Sequence, residues 1–280
     1  MSIFQNETIW MRNARTMNDF SEIEHGKQCL ISAYHDEQIC RPLKEMLEKI
    51  YPGFVANFEA VFNSWMNHFS QNTFLTSLSE HGDEEDTYGR LSMWRAYGAG
   101  NGVALILNNA PFLQVADALK AYSSPVAYKT PFSFAHDFRE FVQRITGNEE
   151  LISSIGREHT LWWIFTAFRM SMLCTKHPGF SEEREWRIIY SPTLEKSKAI
   201  QRDYAIIRGV PQEIYKIPLR HDPENGLFNA DVPSLLNRMI IGPSQQPFTV
   251  FQALTSVLAE KGVQDIPSKV AVSDIPLRQG

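Results

Sequence analysis

The stretch FVANFEAVFNSWMNHF, residues 54–69, sets Phe54, Phe58, Val61, Phe62, Trp65 and Phe69 on a single helical stripe. A stripe that aromatic has to be covered, so it commits this part of the chain to a long helix packed into a core. The same rings could be read as a ligand box, but core packing explains the spacing without a ligand. Upstream, Asn18, Asp19 and Ser21 offer N-caps for a helix reaching Tyr34, and CRPLKEMLEKIY places Leu43, Leu47 and Ile50 on one helical face.

The texture changes after residue 70. NTFLTSLSE (72–80), GVALIL, PVAYK, EWRIIY, EIYKIPL, RMIIG and KVAVS are rich in β-branched and aromatic residues and predict strands, with TIWMR (8–12) an earlier one. Between them the sequence predicts two helical turns in RLSMWRAYG and a helix from Pro111 to Ala121. It also predicts two long helices between Phe134 and Cys174, and a last helix from Phe248 to Lys261. HGDEEDTYG reads as a solvated acidic loop. Helices first, then strands with inserted helices, predict an α+β fold with a mixed or antiparallel sheet rather than βαβ alternation. The helix-rich part covers 1–70, the sheet-containing core 71–280, and a helical insertion falls around 130–175. With 280 residues, 43% of them hydrophobic, and no long linker, one domain is the simplest organisation.

Net charge is −5, from 27 Lys and Arg against 32 Asp and Glu, so no global basic field favours nucleic acid; a local basic patch stays open. Cys29, Cys40 and Cys174 have no CxxC or Cys/His ligand spacing, which argues against a disulfide framework or structural zinc. MSIFQNETIWMRN has no signal-peptide pattern, and LWWIFTAFRMSMLC (161–174) is too short to span a bilayer and carries Arg169. A cytoplasmic protein without a membrane partner is expected.

Several familiar chemistries lack their residues. GAGNG (98–102) precedes a strand, whereas a phosphate cradle follows one and opens a helix, so it reads as a tight turn. The histidines show no HExxH spacing, and no GxSxG elbow is present. What remains is KHPGFSEEREWRIIY (176–190), which crowds acids and bases against an apolar strand. Glu183 and Glu185 flank Arg184, and period-two alternation would place both carboxylates on one face; Ser77 and Ser79 bear the same relation at the end of TFLTSLSE. Two polar pairs at strand ends make one site if the strands are neighbours. The plainer reading pairs the glutamates with Arg184, Arg187 or Lys176 as salt bridges.

Four blocks, MNDFSEIEHG, SLSEHGDEEDTYGRLSMWRAYGAGNGVAL, KHPGFSEEREWRIIY and VSDIPLR, resemble the bacterial family called domain of unknown function 2971, which has no settled activity. The order of parts is also similar to that of Arg–Ser–Glu type ADP-ribosyltransferases. That resemblance implies NAD as substrate, with Arg12 or Arg15 on the phosphates and Ser77 and Ser79 shaping the nicotinamide pocket. Glu185 would then stabilise the oxocarbenium ion, and Glu183 would orient or deprotonate the acceptor. The chain departs from that pattern in lacking an aromatic-Arg-Gly start and in carrying the helical insertion. Trp94, Tyr97, Lys176, Arg187 and Arg278 complete the expected binding set. Under this reading the protein is an NAD-consuming transferase or glycohydrolase, a toxin or phage-defence effector, with a macromolecular acceptor as partner.

Two other readings stay open. Arg95, Lys176, Arg184, Arg187 and Arg278 with Trp94, Tyr97 and Trp186 would suit a nucleic-acid-directed effector. The same cluster would suit a non-catalytic module that holds a small anionic ligand, a nucleotide or a partner protein. Geometrically, Glu185 is expected to point into a concave site, Glu183 to lie at its rim, and Trp186 to pack on the helix containing Trp162 and Trp163.

Overall fold

A computed structural model describes residues 2–16, 21–98, 100–113 and 118–276. In chain order it runs α1 (Ser2–Asn6), β1 (Thr8–Asn13), α2 (Ser21–His35), α3 (Glu37–Ile50), α4 (Phe54–Gln71), β2 (Phe74–Ser79), α5 (Leu91–Tyr97), β3 (Val103–Leu107), α6 (Ala110–Leu113), β4 (Ala121–Pro125) and β5 (Ala127–Tyr128). It continues through α7 (Pro131–Thr146), α8 (Glu149–Ile155), α9 (Arg157–Leu173), β6 (Thr175–Lys176), β7 (Glu185–Tyr190), β8 (Gln201–Ile207) and β9 (Val210–Pro218). It closes with α10 (Val232–Leu235), β10 (Leu236–Ile241), α11 (Pro247–Glu260), α12 (Ile266–Lys269) and β11 (Val270–Val272). The α+β class holds. Asn18, Asp19 and Arg278 lie outside the described residues.

The chain divides into two compact units, one of Met1–Arg12, Thr76–Ser123 and Glu182–Gly280, the other of Asn13–Leu75 and Ser124–Ser181. The second unit is helical. Gly53, at φ 75°, turns the chain into α4, and Glu48 accepts hydrogen bonds from the Gly53 and Val55 amides at 2.7 Å each. Phe54, Phe58, Phe62 and Phe69 of the aromatic stripe are buried. Phe58 meets Phe168 of α9 edge-on at 5.1 Å, and Phe69 meets Phe165 at 5.5 Å. The stripe is core. The insertion is three helices rather than two, because Gly156, at φ 83°, breaks the run between α8 and α9. Cys29, Cys40 and Cys174 are free and buried.

The first unit holds a six-stranded sheet in the order β4-β7-β2-β1-β9-β8 and a three-stranded sheet in the order β11-β10-β3. The smaller sheet and α11 enclose a core of Leu236, Met239, Ile241, Leu254, Leu258 and Val270, with Phe4 of α1 added to it. Neither α1 nor β8 is expected from the sequence. The region expected as a helix from Pro111 to Ala121 is helical only as far as Leu113 among the described residues, and Ala121 opens β4. Among the described residues, no helix is long and apolar enough to cross a membrane.

Candidate functional site

Glu185 opens β7 and is only 6% exposed. A carboxylate taken that far from water needs charged or hydrogen-bonded partners. Arg187, two residues along the same strand face, supplies them: its Nε donates to Oε1 at 2.8 Å and its Nη2 to Oε2 at 3.2 Å. Ser77 of the neighbouring strand β2 donates its hydroxyl to Oε1 at 2.5 Å. Period-two alternation therefore does bring Ser77, Glu185 and Arg187 together.

Glu183 breaks that alternation. It ends the short 3-10 turn Pro178–Glu183, and Arg184 takes φ 42° before the strand begins, so the two glutamates do not share a strand face. Instead the Glu183 carboxylate accepts a 3.0 Å hydrogen bond from Tyr97, which is half-exposed at the end of α5.

Ser79 is held elsewhere, by a residue that the sequence reading passed over. Arg90, at the N-cap of α5, donates to Ser79 Oγ at 2.9 Å, to the Glu182 carbonyl at 2.7 Å and to the Glu80 carbonyl at 2.6 Å. Its Nε and Nη2 grip Glu85 at 2.8 and 2.9 Å. One guanidinium thus ties the end of β2, the turn before β7 and the acidic loop. Arg184 also pairs with Glu85. The expectation of a solvated acidic loop is corrected at this residue, whose side chain is 13% exposed.

Burial raises the Glu85 pKa, but hydrogen bonds from Arg90 and the Gly82 amide, with the charges of Arg90 and Arg184, overturn that and bring it down to about 2. A depressed carboxylate contributes stability that is present above its ordinary value of 4.5 and is lost as pH falls from there through about 2. The unfolding free energy of wild type should therefore exceed that of Glu85→Gln by a constant amount above about pH 5, and the gap should close on acidification. Urea midpoints of both proteins between neutral pH and pH 2.5 check this; a gap that persists at the acid end contradicts it.

Trp94 donates its indole N–H to the Tyr88 carbonyl at 2.8 Å, and Ser273 donates to the same oxygen at 2.8 Å. The sequence blocks YGRLSMW and VSDIPLR meet there. Gly89 (φ 69°) and Gly242 lie against the Trp94 ring, where a Cβ would approach to 2.6 and 2.8 Å, so both positions need glycine.

A cleft of about 360 Å³ runs along these groups. Ser77, Ser79, Glu80, His81, Glu85 and Arg90 form its polar side, and Met93, Trp94, Tyr97 and β3 the apolar one. His81 bonds Asp86 at 2.8 Å. Of the expected residues, Ser77, Ser79, Trp94 and Tyr97 line this cleft; Glu185 is one hydroxyl behind its wall, through Ser77.

The remaining expected residues fall outside the cleft lining. Arg12 donates to Gln212 at 3.1 Å, and burial, then the charge of Arg208, lowers its pKa. Ile9, Ile217, Trp186 and Ile188 line a different cleft, so alternation puts Arg12 on the same sheet face as Glu185 and Arg187. Arg15 and Lys176 belong to the other unit; Arg15 is exposed, while Lys176 is 3% exposed and 4.7 Å from the centre of the Phe180 ring. Trp186 is half-buried in that second cleft and donates to Glu80 at 2.7 Å. Trp186, expected to pack on the helix containing Trp162 and Trp163, shares its cleft with Ile9, Ile188 and Ile217 of its own unit.

A buried Glu185–Arg187 pair that Ser77 reaches from the cleft wall, and a partly buried Arg90–Glu85 pair, define the class as an α+β protein with a polar, ion-paired candidate site. Residues 93–188 match the profile of the family described as "Protein of unknown function (DUF2971)", which bears out the family resemblance and takes in Trp94, Tyr97, Glu183, Glu185 and Arg187. No curated protein and no solved structure matches the chain.

Proposed function

We propose that the first unit binds NAD in the cleft and breaks its nicotinamide–ribose bond, passing ADP-ribose to water or to a macromolecular acceptor. The observation that carries this reading is Ser77, a cleft-wall hydroxyl hydrogen-bonded to a buried carboxylate that Arg187 orients. As the bond from ribose C1′ to nicotinamide breaks, its electron pair leaves on the ring nitrogen and positive charge develops on C1′ and the ring oxygen. A preorganised Ser77–Glu185 dipole opposes that charge without reorganisation. An acceptor hydroxyl then adds to C1′ and gives up its proton, for which Glu183, tethered to Tyr97 of the cleft wall, is the base. Tyr97 and Trp94 offer ring surface to a nicotinamide or adenine.

A second reading is favoured by one specific feature: Arg187 engages both oxygens of Glu185. The cleft would then hold a small anionic ligand or nucleotide without turning it over. A nucleic-acid-directed role draws less support, because Arg187 and Lys176 are 2% and 3% exposed and present little charge to a phosphate chain.

Thermal unfolding with NAD and with free nicotinamide assayed in parallel separates these readings. Ligand at about 100 times its Kd adds about 2.7 kcal/mol to the native state and raises the midpoint. The enzyme reading expects that rise together with nicotinamide release, and Tyr97→Ala should diminish both, with little effect on stability at a half-exposed position. A rise without release favours the binding module. No rise and no release overturns both for NAD.

A further inference from the structure

Helix α5 stands between two hollows of the first unit. Met93, Trp94 and Tyr97 line the cleft that Ser77 enters, whereas Leu91, Ser92 and Arg95 line an open hollow of about 500 Å³. Glu182 and Arg184, from the chain that leads into β7, complete this second lining. Arg90 belongs to both, so the two meet at this residue.

The open hollow holds donors without acceptors. Ser92 and Arg95 are three residues apart and share a face of α5. Among the described residues, neither side chain makes a hydrogen bond or ion pair. Arg184 spends only Nη2, on Glu85, which leaves Nε and Nη1 uncommitted. The other acids nearby are drawn elsewhere: Glu183 accepts from Tyr97, and Glu80 from the Trp186 indole. The guanidinia of Arg90, Arg95 and Arg184 thus face only the carboxylates of Glu182 and Glu85, a local positive excess in a chain of net charge −5. Two guanidinia and a hydroxyl offer more donors than one carboxylate can accept, and they suit the many oxygens of a diphosphate.

We propose that this hollow is a diphosphate site, which on the NAD reading of the neighbouring cleft receives the diphosphate of the dinucleotide. Arg95 and Arg184 take its oxygens, and Ser92 donates beside them. The phosphate contact expected at Arg12 or Arg15 thereby moves to α5 and the entrance of β7. Arg12 is spent on Gln212, and Arg15 belongs to the other unit. Because the hollows meet at Arg90, one extended ligand can occupy both.

Calorimetric titration of the full chain with NAD and, separately, with inorganic pyrophosphate tests the assignment. Both should bind wild type, compete with each other and weaken as salt rises. Arg95→Gln should raise both dissociation constants at least about tenfold, and Ser92→Ala should raise them less. Unfolding curves of the two variants should match wild type, since neither side chain holds a partner. NAD affinity unchanged in Arg95→Gln overturns the diphosphate site and leaves the NAD reading of the other cleft standing. Pyrophosphate binding that needs Arg95, without any binding of NAD, supports the site and overturns the NAD reading. Binding of neither overturns both. Sulfate that binds as tightly as pyrophosphate at equal ionic strength overturns the site as one for diphosphate.

Discussion

Replacing Arg90 with leucine should cost about 3–5 kcal/mol, because this guanidinium holds Glu85, Ser79 and the carbonyls of Glu80 and Glu182 together and its loss strands them. Glu85, 13% exposed, would keep Arg184 but lose a two-point grip, and the carbonyls of Glu80 and Glu182 would lose a charged donor. Those carbonyls belong to the two chain segments that frame the candidate site. Arg90→Lys should recover less than half of the loss, since an ammonium keeps the charge but cannot span acceptors in several directions. Urea unfolding of the three proteins measures this. A loss under about 1 kcal/mol for Arg90→Leu would show the network to be an exposed surface cluster.

The second large effect is expected at Glu185→Gln. Read from sequence, the change looks nearly isosteric and cheap. The geometry says otherwise, because a glutamine must place an NH₂ group either against Arg187 Nη2 or against the Ser77 hydroxyl and Arg187 Nε. It also removes the countercharge of a guanidinium that is 2% exposed. The expected cost is about 3–5 kcal/mol. Arg187→Met should cost a similar amount, and the double variant less than the sum, because neither charge is then left behind. Additive losses in that cycle would mean that the two side chains are stabilised by separate partners. Trp186→Ala, by contrast, should cost less than a core aromatic, since this ring lines an open cleft rather than the core.

The parts of the fold that the sequence predicts are those with a clean period. The stripe of α4 and the helices of residues 130–175 repeat at 3.6 residues because one face is buried, and GVALIL and RMIIG are apolar runs in a small sheet. Strand β8 escapes because it is an edge: Arg202, Asp203, Tyr204 and Ile206 mix polar and apolar residues where neither face is fully covered. In the site, Ser77 with Glu185 follows from alternation on adjacent strands. Glu183 does not, because the positive φ of Arg184 resets the phase, and nothing in a residue's type announces that. Arg90 is missed because half of its hydrogen bonds go to backbone carbonyls, of Glu80, Glu182 and Glu183, which carry no sequence pattern. The one available signal was a single arginine beside the acids of HGDEEDTYGR, facing a second acid-rich segment in SEEREW.

The central claim, that the Ser77–Glu185–Arg187 cluster serves NAD cleavage at the cleft, is tested most directly by free nicotinamide released per folded molecule. Wild type, Glu185→Gln and Ser77→Ala should be compared under conditions in which unfolding curves show each to be native. The account predicts turnover by wild type, a loss of at least about 100-fold in Glu185→Gln and a smaller loss in Ser77→Ala, with stability retained in the latter. Wild-type release matched by a native Glu185→Gln, or no release from wild type at all, would contradict it and leave the cluster as an ion-paired strut of the sheet.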